Sequence, residues 1–256
     1  MLSRVGGLET YCRMEGQGPP VVLLHGWGAS HESFAGLAPT LAERFRVLSV
    51  DLPGFGWSEP PPAAWGSAEY RDHLVALLDS LGVGPAAVLG HSFGGRIAIR
   101  LAAEQPARVS RLILVASAGL RPPRSVRARL LVGVTRLLRR ASELPGCAGV
   151  IQPLLARWAG RVGSRDYRAA GAMRPTLVRL VNEELFPLLS AIQAPTLILW
   201  GDQDQEVRRA AMERMRAGIA GARLVVLPGA GHFPFADAPA AFEEHLLPFL
   251  AEEGRP

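Results

Sequence analysis

The stretch Gly90-His91-Ser92-Phe93-Gly94-Gly95 follows the apolar run Ala86-Ala87-Val88-Leu89 and precedes the helix-like Arg96-Ile97-Ala98-Ile99-Arg100-Leu101-Ala102-Ala103. An apolar run that breaks at glycine and resumes with helical character reads as a strand, a tight turn and a helix. Gly90-x-Ser92-x-Gly94 matches the sharp turn on which a serine hydroxyl is held exposed above the end of a sheet. In such a turn neighbouring backbones come close, so the positions two before and two after the serine tolerate almost no side chain. GxSxG occurs widely by chance; placed between a strand and a helix it is a much more specific signal.

The same strand pattern recurs at Val21 to Leu24, Arg46 to Val50, Leu112 to Ala116, Thr196 to Trp200 and Arg223 to Leu227. Stretches of helical periodicity lie between most of these, such as Tyr70 to Leu81 and Arg208 to Ile219. Near-continuous apolar strands alternating with helices predict an α/β fold with a mostly parallel central sheet flanked by helices. Ligands of such sheets bind beyond the carboxyl ends of the strands. There the sequence places His25-Gly26-Trp27-Gly28, Asp51-Leu52-Pro53-Gly54-Phe55-Gly56-Trp57-Ser58, the serine stretch, Gly201-Asp202-Gln203-Asp204 and Pro228-Gly229-Ala230-Gly231-His232.

These pieces in this order, together with the LILWGDQD and GAGHF stretches at 197–204 and 229–233, resemble the α/β-hydrolase superfamily over essentially the whole chain. The resemblance implies a catalytic Ser-His-Asp triad, and the chain order Ser92, Asp204, His232 agrees with it. A serine hydroxyl needs an adjacent base, which a histidine of near-neutral pKa supplies. Of the six histidines, His91 should point away from its neighbour on a tight turn, His25 belongs to an early loop, His31 and His73 fall on or beside helices, and His245 lies in the C-terminal helix. His232 is the one in a glycine-flanked loop after the last strand. The family's Gly-x-x-Asp pattern selects Asp204 over Asp202, read as a surface or turn carboxylate, and over Asp237. The strand ending Ala116-Ser117-Ala118 has no carboxylate after it, which removes the alternative acid position of some relatives. Backbone N–H groups of Trp27 and Phe93 are the expected oxyanion hole, with the two aromatic side chains as substrate-binding walls. Asp51 reads as part of a structural turn with Pro53, Gly54 and Gly56.

Residues 120–190 fall between two strands, far more than a crossover needs. The resemblance implies a helical cap here, inserted into a core of 1–119 and 191–256, and the stretch from Gly163 to Glu183 is similar to the cap of a subgroup of bacterial hydrolases. Leu130, Leu131, Val134, Leu137 and Leu138 form one apolar stripe beside Arg127, Arg136, Arg139 and Arg140. The segment holds thirteen arginines against Glu143, Asp166, Glu183 and Glu184, a net of +9 within a total of +5. Such a helix covers an apolar pocket, attracts an anionic substrate or lipid surface, or is merely a solvated face with snorkelling arginine stems.

All 28 basic residues are arginine. Without lysine there is no P-loop of the GxxxxGK[ST] type and no Schiff-base lysine, hence no ordinary pyridoxal phosphate site. No metal-ligand spacing such as HExxH occurs, and the Gly54-Phe55-Gly56 run meets Glu59 where a dinucleotide fingerprint needs its third glycine. No cofactor, metal, nucleic acid or integral membrane association is expected. The N-terminus lacks a signal-peptide pattern and Cys12 and Cys147 make no disulfide framework, so a cytoplasmic protein with two reduced thiols is expected, as a monomer or a homodimer. The expected activity is cofactor-free hydrolysis of a carboxylic ester or related acyl compound. The rivals are C–C bond cleavage by the same triad, disfavoured because many such enzymes carry Asn where His91 stands, and a ligand-binding or signalling protein with little turnover. Serine at position 92 argues against the haloalkane dehalogenases and epoxide hydrolases of this fold, which use aspartate there.

Overall fold

The computed structural model describes residues 1–121, 138, 140–142, 149, 151 and 165–252. The strands are β1 (Leu2–Val5), β2 (Leu8–Glu15), β3 (Pro20–Leu24), β4 (Arg46–Val50), β5 (Ala86–His91), β6 (Val109–Val115), β7 (Thr196–Gly201) and β8 (Arg223–Leu227). They form one sheet in the order β1-β2-β4-β3-β5-β6-β7-β8. β1 and β2 run antiparallel to their neighbours and the other six strands are parallel. Among the described residues, the α-helices with described ends are α1 (Ala38–Ala42), α2 (Ser67–Ser80), α3 (Phe93–Glu104), α4 (Arg165–Ala169), α5 (Arg174–Asn182), α6 (Arg209–Gly218), α7 (Pro234–Asp237) and α8 (Pro239–Ala251). No helix among the described residues is long and apolar enough to cross a membrane.

The six expected strands are present. β6 begins three residues earlier than its apolar run and stops at Val115, because Ala116 takes a left-handed φ of 43° that no strand continues through. The N-terminal hairpin β1–β2 had no counterpart in the sequence reading. Its inward residues Thr10 and Cys12 are fully buried, and Thr10 Oγ1 lies 2.7 Å from His73 Nε2 on α2. Cys12 is a free thiol whose pKa burial pushes up, and Cys147 lies outside the described residues.

Contacts group the chain into two units, Met1–Arg121 with Val178–Pro256, and Pro122–Leu177. Residues 178–190, placed by sequence with the insertion, group with the sheet: Leu180, Leu185 and Leu189 are buried and Leu185 N–H donates to Gly119 O. Of the expected basic amphipathic stripe, Leu130, Leu131, Val134, Leu137, Arg127, Arg136 and Arg139 lie outside the described residues, and Leu138 and Arg140 are exposed.

The parallel strands are nearly all apolar and buried on both faces. One face packs on a core built from Phe34, Leu41, Phe242, Leu246 and Phe249, and α2 and α3 pack together on the sheet. Register aligns the carboxyl ends: Leu24 pairs with Gly90, His91 with Val115 and Gly201 with Leu227. Chain direction across the sheet reverses between β3 and β5, since β4 lies on one side of β3 and β5 to β8 extend on the other. The crevice at that switch point, above Leu24 and His91, is where an open parallel sheet takes its ligand.

Close backbone packing fixes this edge. A Cβ on Gly201 would stand 2.2 Å from Ala230 O, a rigid backbone atom, whereas one on Gly84 meets nothing within 4 Å. Gly201→Ala should therefore lower stability by about 3 kcal/mol in urea unfolding, and Gly84→Ala should leave it within about 0.5 kcal/mol.

Candidate active site

Ser92 sits between β5 and α3 with φ 48° and ψ −107°, one of two described non-glycine residues with positive φ. A conformation of this kind costs about 1–3 kcal/mol and persists only where surroundings enforce it. Here they do. Ser92 N–H donates to Val115 O at 3.0 Å, and Ser92 O accepts from Gly95 N–H and Ala118 N–H at 3.1 Å each. A Cβ on Gly90 would fall 2.6 Å from Gly94 O, and one on Gly94 would fall 2.2 Å from Leu24 O. The glycines flanking Ser92 are thus the condition for packing α3 against the ends of β5 and β3.

That packing brings the His25–Gly28 loop beside Ser92. Gly94 N–H donates to His25 O at 3.0 Å, and a Cβ on Gly26 would lie 3.5 Å from Ser92 Cβ. The backbone N–H groups of Trp27 and Phe93 donate to no acceptor among the described residues. Phe93 N–H is free because it opens a helix, where the first N–H groups have no intrahelical partner. The Trp27, Phe55 and Phe93 rings meet at centroid distances of 4.8, 5.6 and 5.8 Å, and Tyr70 closes the cluster behind Phe93.

Asp204 and His232, from the loops after β7 and β8, are joined: His232 Nδ1 lies 2.9 Å from Asp204 Oδ2, and the Asp204 side chain is fully buried. Its other oxygen accepts from Glu206 N–H at 2.8 Å and Val207 N–H at 3.0 Å. Burial alone would raise the Asp204 pKa, but the bonds from His232 and from these two N–H groups outweigh it and hold it below the ordinary aspartate value. The carboxylate is ionised and directed at Nδ1. Asp202 instead accepts from Gly229 N–H at 2.8 Å and Asp237 from Gly231 N–H at 2.8 Å, so both shape the loop that carries His232.

Two residues here carried no role in the sequence reading. His91 is buried, donates through Nε2 to His232 O at 2.9 Å, and its ring lies tilted against the His232 ring at 4.9 Å between centroids. It therefore links the turn carrying Ser92 to the loop carrying His232. Glu206 Oε2 lies 3.3 Å from His232 Nε2, a contact that the spacing Asp204-x-Glu206 only suggests once the fold is known. Asp51 is fully buried at the end of β4; it accepts from His31 N–H at 2.6 Å and Trp57 N–H at 3.0 Å, and lies 2.9 Å from His31 Nδ1. That is the structural turn its glycines and proline suggested.

The chain belongs to the alpha/beta hydrolase family, whose model matches residues 21–245. It is 31% identical to a pimeloyl-[acyl-carrier protein] methyl ester esterase of Nitrosomonas europaea, over 89% of this chain and 94% of that protein. It is 30% identical to a 2-hydroxymuconate semialdehyde hydrolase of a Pseudomonas species, over 96% of this chain and 92% of the relative. Among solved structures, a bacterial membrane phospholipase A superposes with a TM-score of 0.78 at 28% identity, covering 98% of this chain and 84% of that one.

Burial also sets the charge of the two histidines nearest the turn. His25 donates from Nδ1 to Gly26 O and accepts Leu52 N–H at Nε2, a neutral tautomer, and desolvation pushes its pKa down to about 4. Desolvation, with the nearby His232, pushes His91 down to about 3. Unfolded imidazoles take up protons below about pH 6.5, so this contribution to stability is complete above that pH and declines as pH falls toward 4 and 3. The decline should be about 1.4 kcal/mol per pH unit for each group. Urea midpoints measured between pH 7.5 and 5 should show it, and His91→Gln, which keeps a donor for His232 O, should remove one group's share of the slope.

Proposed function

We propose that the protein is a cofactor-free serine hydrolase that cleaves carboxylic esters or related acyl compounds. The observation that carries this reading is the joint presence, on one edge of the sheet, of a serine on an enforced strained turn and a histidine whose Nδ1 is held by a buried ionised aspartate. In the proposed reaction Ser92 Oγ attacks the substrate carbonyl carbon as its proton passes to His232 Nε2. Asp204 stabilises the resulting imidazolium. The oxyanion takes hydrogen bonds from the N–H groups of Trp27 and Phe93, donors that nothing else in the described structure engages. Collapse expels the alcohol, which carries away the proton held on His232, and leaves an acyl-Ser92 ester. Water, deprotonated by His232, then attacks this ester and releases the acid.

The aromatic wall of Trp27, Phe55 and Phe93 offers apolar contact to an acyl chain. The esterase relative, which acts on a methyl ester, supports the ester reading. The semialdehyde hydrolase relative favours a second reading, C–C bond hydrolysis by the same residues.

p-Nitrophenyl esters graded by acyl length should be hydrolysed by the wild-type protein, and Ser92→Ala should lower kcat by at least about a thousandfold with its fold retained. Undiminished activity in Ser92→Ala would refute the assignment. A fluorophosphonate adduct on Ser92 without turnover of any ester would favour the second reading or a ligand-binding role.

A further inference from the structure

A cavity of about 520 Å³ opens at the amino ends of the parallel strands, the edge opposite Ser92. It lies between the start of β3, the turn after α1, the start of β6 and the last turn of α8. Ala87 lines it while Ser92 stands at the other end of β5, about 17 Å away at strand rise. This site is therefore separate from the proposed hydrolytic chemistry and does not depend on it.

Arg111, on β6, is only 7% exposed. Its guanidinium carbon lies 5.6 Å from the centre of the Phe249 ring, and it has no carboxylate or hydrogen-bond partner among the described residues. The one acid of the lining, Glu252, is engaged by Arg223 at 2.8 Å, whose own guanidinium carbon sits 4.9 Å from the same ring. Arg44, exposed on the cavity's other wall, also has no ion-pair partner among the described residues. The Arg111 nitrogens keep access to the cavity's solvent, and the matching ligand of such a group is a carboxylate or phosphate oxygen pair. The rest of the lining selects between these, since most of it is apolar and so favours an organic carboxylate over inorganic phosphate. Phe45, Pro20 and Leu250 supply an apolar remainder, and the volume lies within the range of small-molecule sites.

We propose that this cavity binds an organic monocarboxylate with an apolar chain, its carboxylate held by Arg111 and Arg44. The test is titration of the isotopically labelled full chain with octanoate, followed by NMR. Saturable shifts are expected at the Ser110 and Leu250 amides and the Arg111 Nε–H, with octanol and inorganic phosphate each at least about tenfold weaker. Arg111→Gln should weaken octanoate at these resonances by about tenfold or more with circular dichroism unchanged, and Arg44→Gln should weaken it less. Octanol or phosphate binding as tightly as octanoate, or octanoate shifts confined to the Trp27 and Phe93 edge, would overturn the assignment. So would undiminished binding to Arg111→Gln. Should Arg111→Gln fail to fold, the comparison of octanoate with octanol and the Arg44→Gln titration decide the matter alone.

Discussion

Three backbone segments meet at the end of β5 with no room for side chains between them. Gly90 faces Gly94, and Gly94 faces Leu24 O, each closer than any Cβ could stand. This contact forces the chain to turn within one residue, and Ser92 takes the left-handed conformation as a result. From it follow the free N–H at the start of α3, the nearness of the His25–Gly28 loop and the opening of the crevice at the switch point. A larger residue at position 90 or 94 would separate α3 from β3 and dissolve all three together.

The edge is also sorted by charge. His25 and His91 are buried, neutral and committed to backbone partners, so they act as spacers of fixed tautomer. Asp204 is buried yet ionised because three hydrogen-bond donors converge on it. His232 lies between these two environments, with a charged partner at Nδ1 and a neutral ring tilted against its own. Glu206 beside Nε2 adds a second carboxylate that bears on the charged form of the ring.

Much of this architecture can be read from the chain because most of the parallel strands are buried on both faces and so appear as nearly unbroken apolar runs, each closed by a turn signal. The hairpin β1–β2 escapes such reading. Leu8–Glu15 mixes Glu, Thr and Arg with its apolar residues, and its two fully buried positions, Thr10 and Cys12, look like surface and redox chemistry rather than core. At the site, the turn around Ser92 and the loops bearing Asp204 and His232 declare themselves by glycine and by position after a strand. The parts that depend on side chains meeting across the fold do not: His91 against His232, Glu206 against the same ring, and Arg111 against Phe249 bring together residues that no local pattern connects. Most residues of the expected cap helices lie outside the described ones.

The hydrogen bond between His91 and the backbone of His232 joins positions 141 residues apart. Closing a loop of that size carries a large entropic penalty before any contact rewards it, and chains dominated by such distant pairings fold slowly. The middle of the sheet can pair from nearer neighbours, but the last loop reaches its partner only after β7 and β8 have added at the edge. Refolding should thus complete this contact late, after the strands on either side of it have paired.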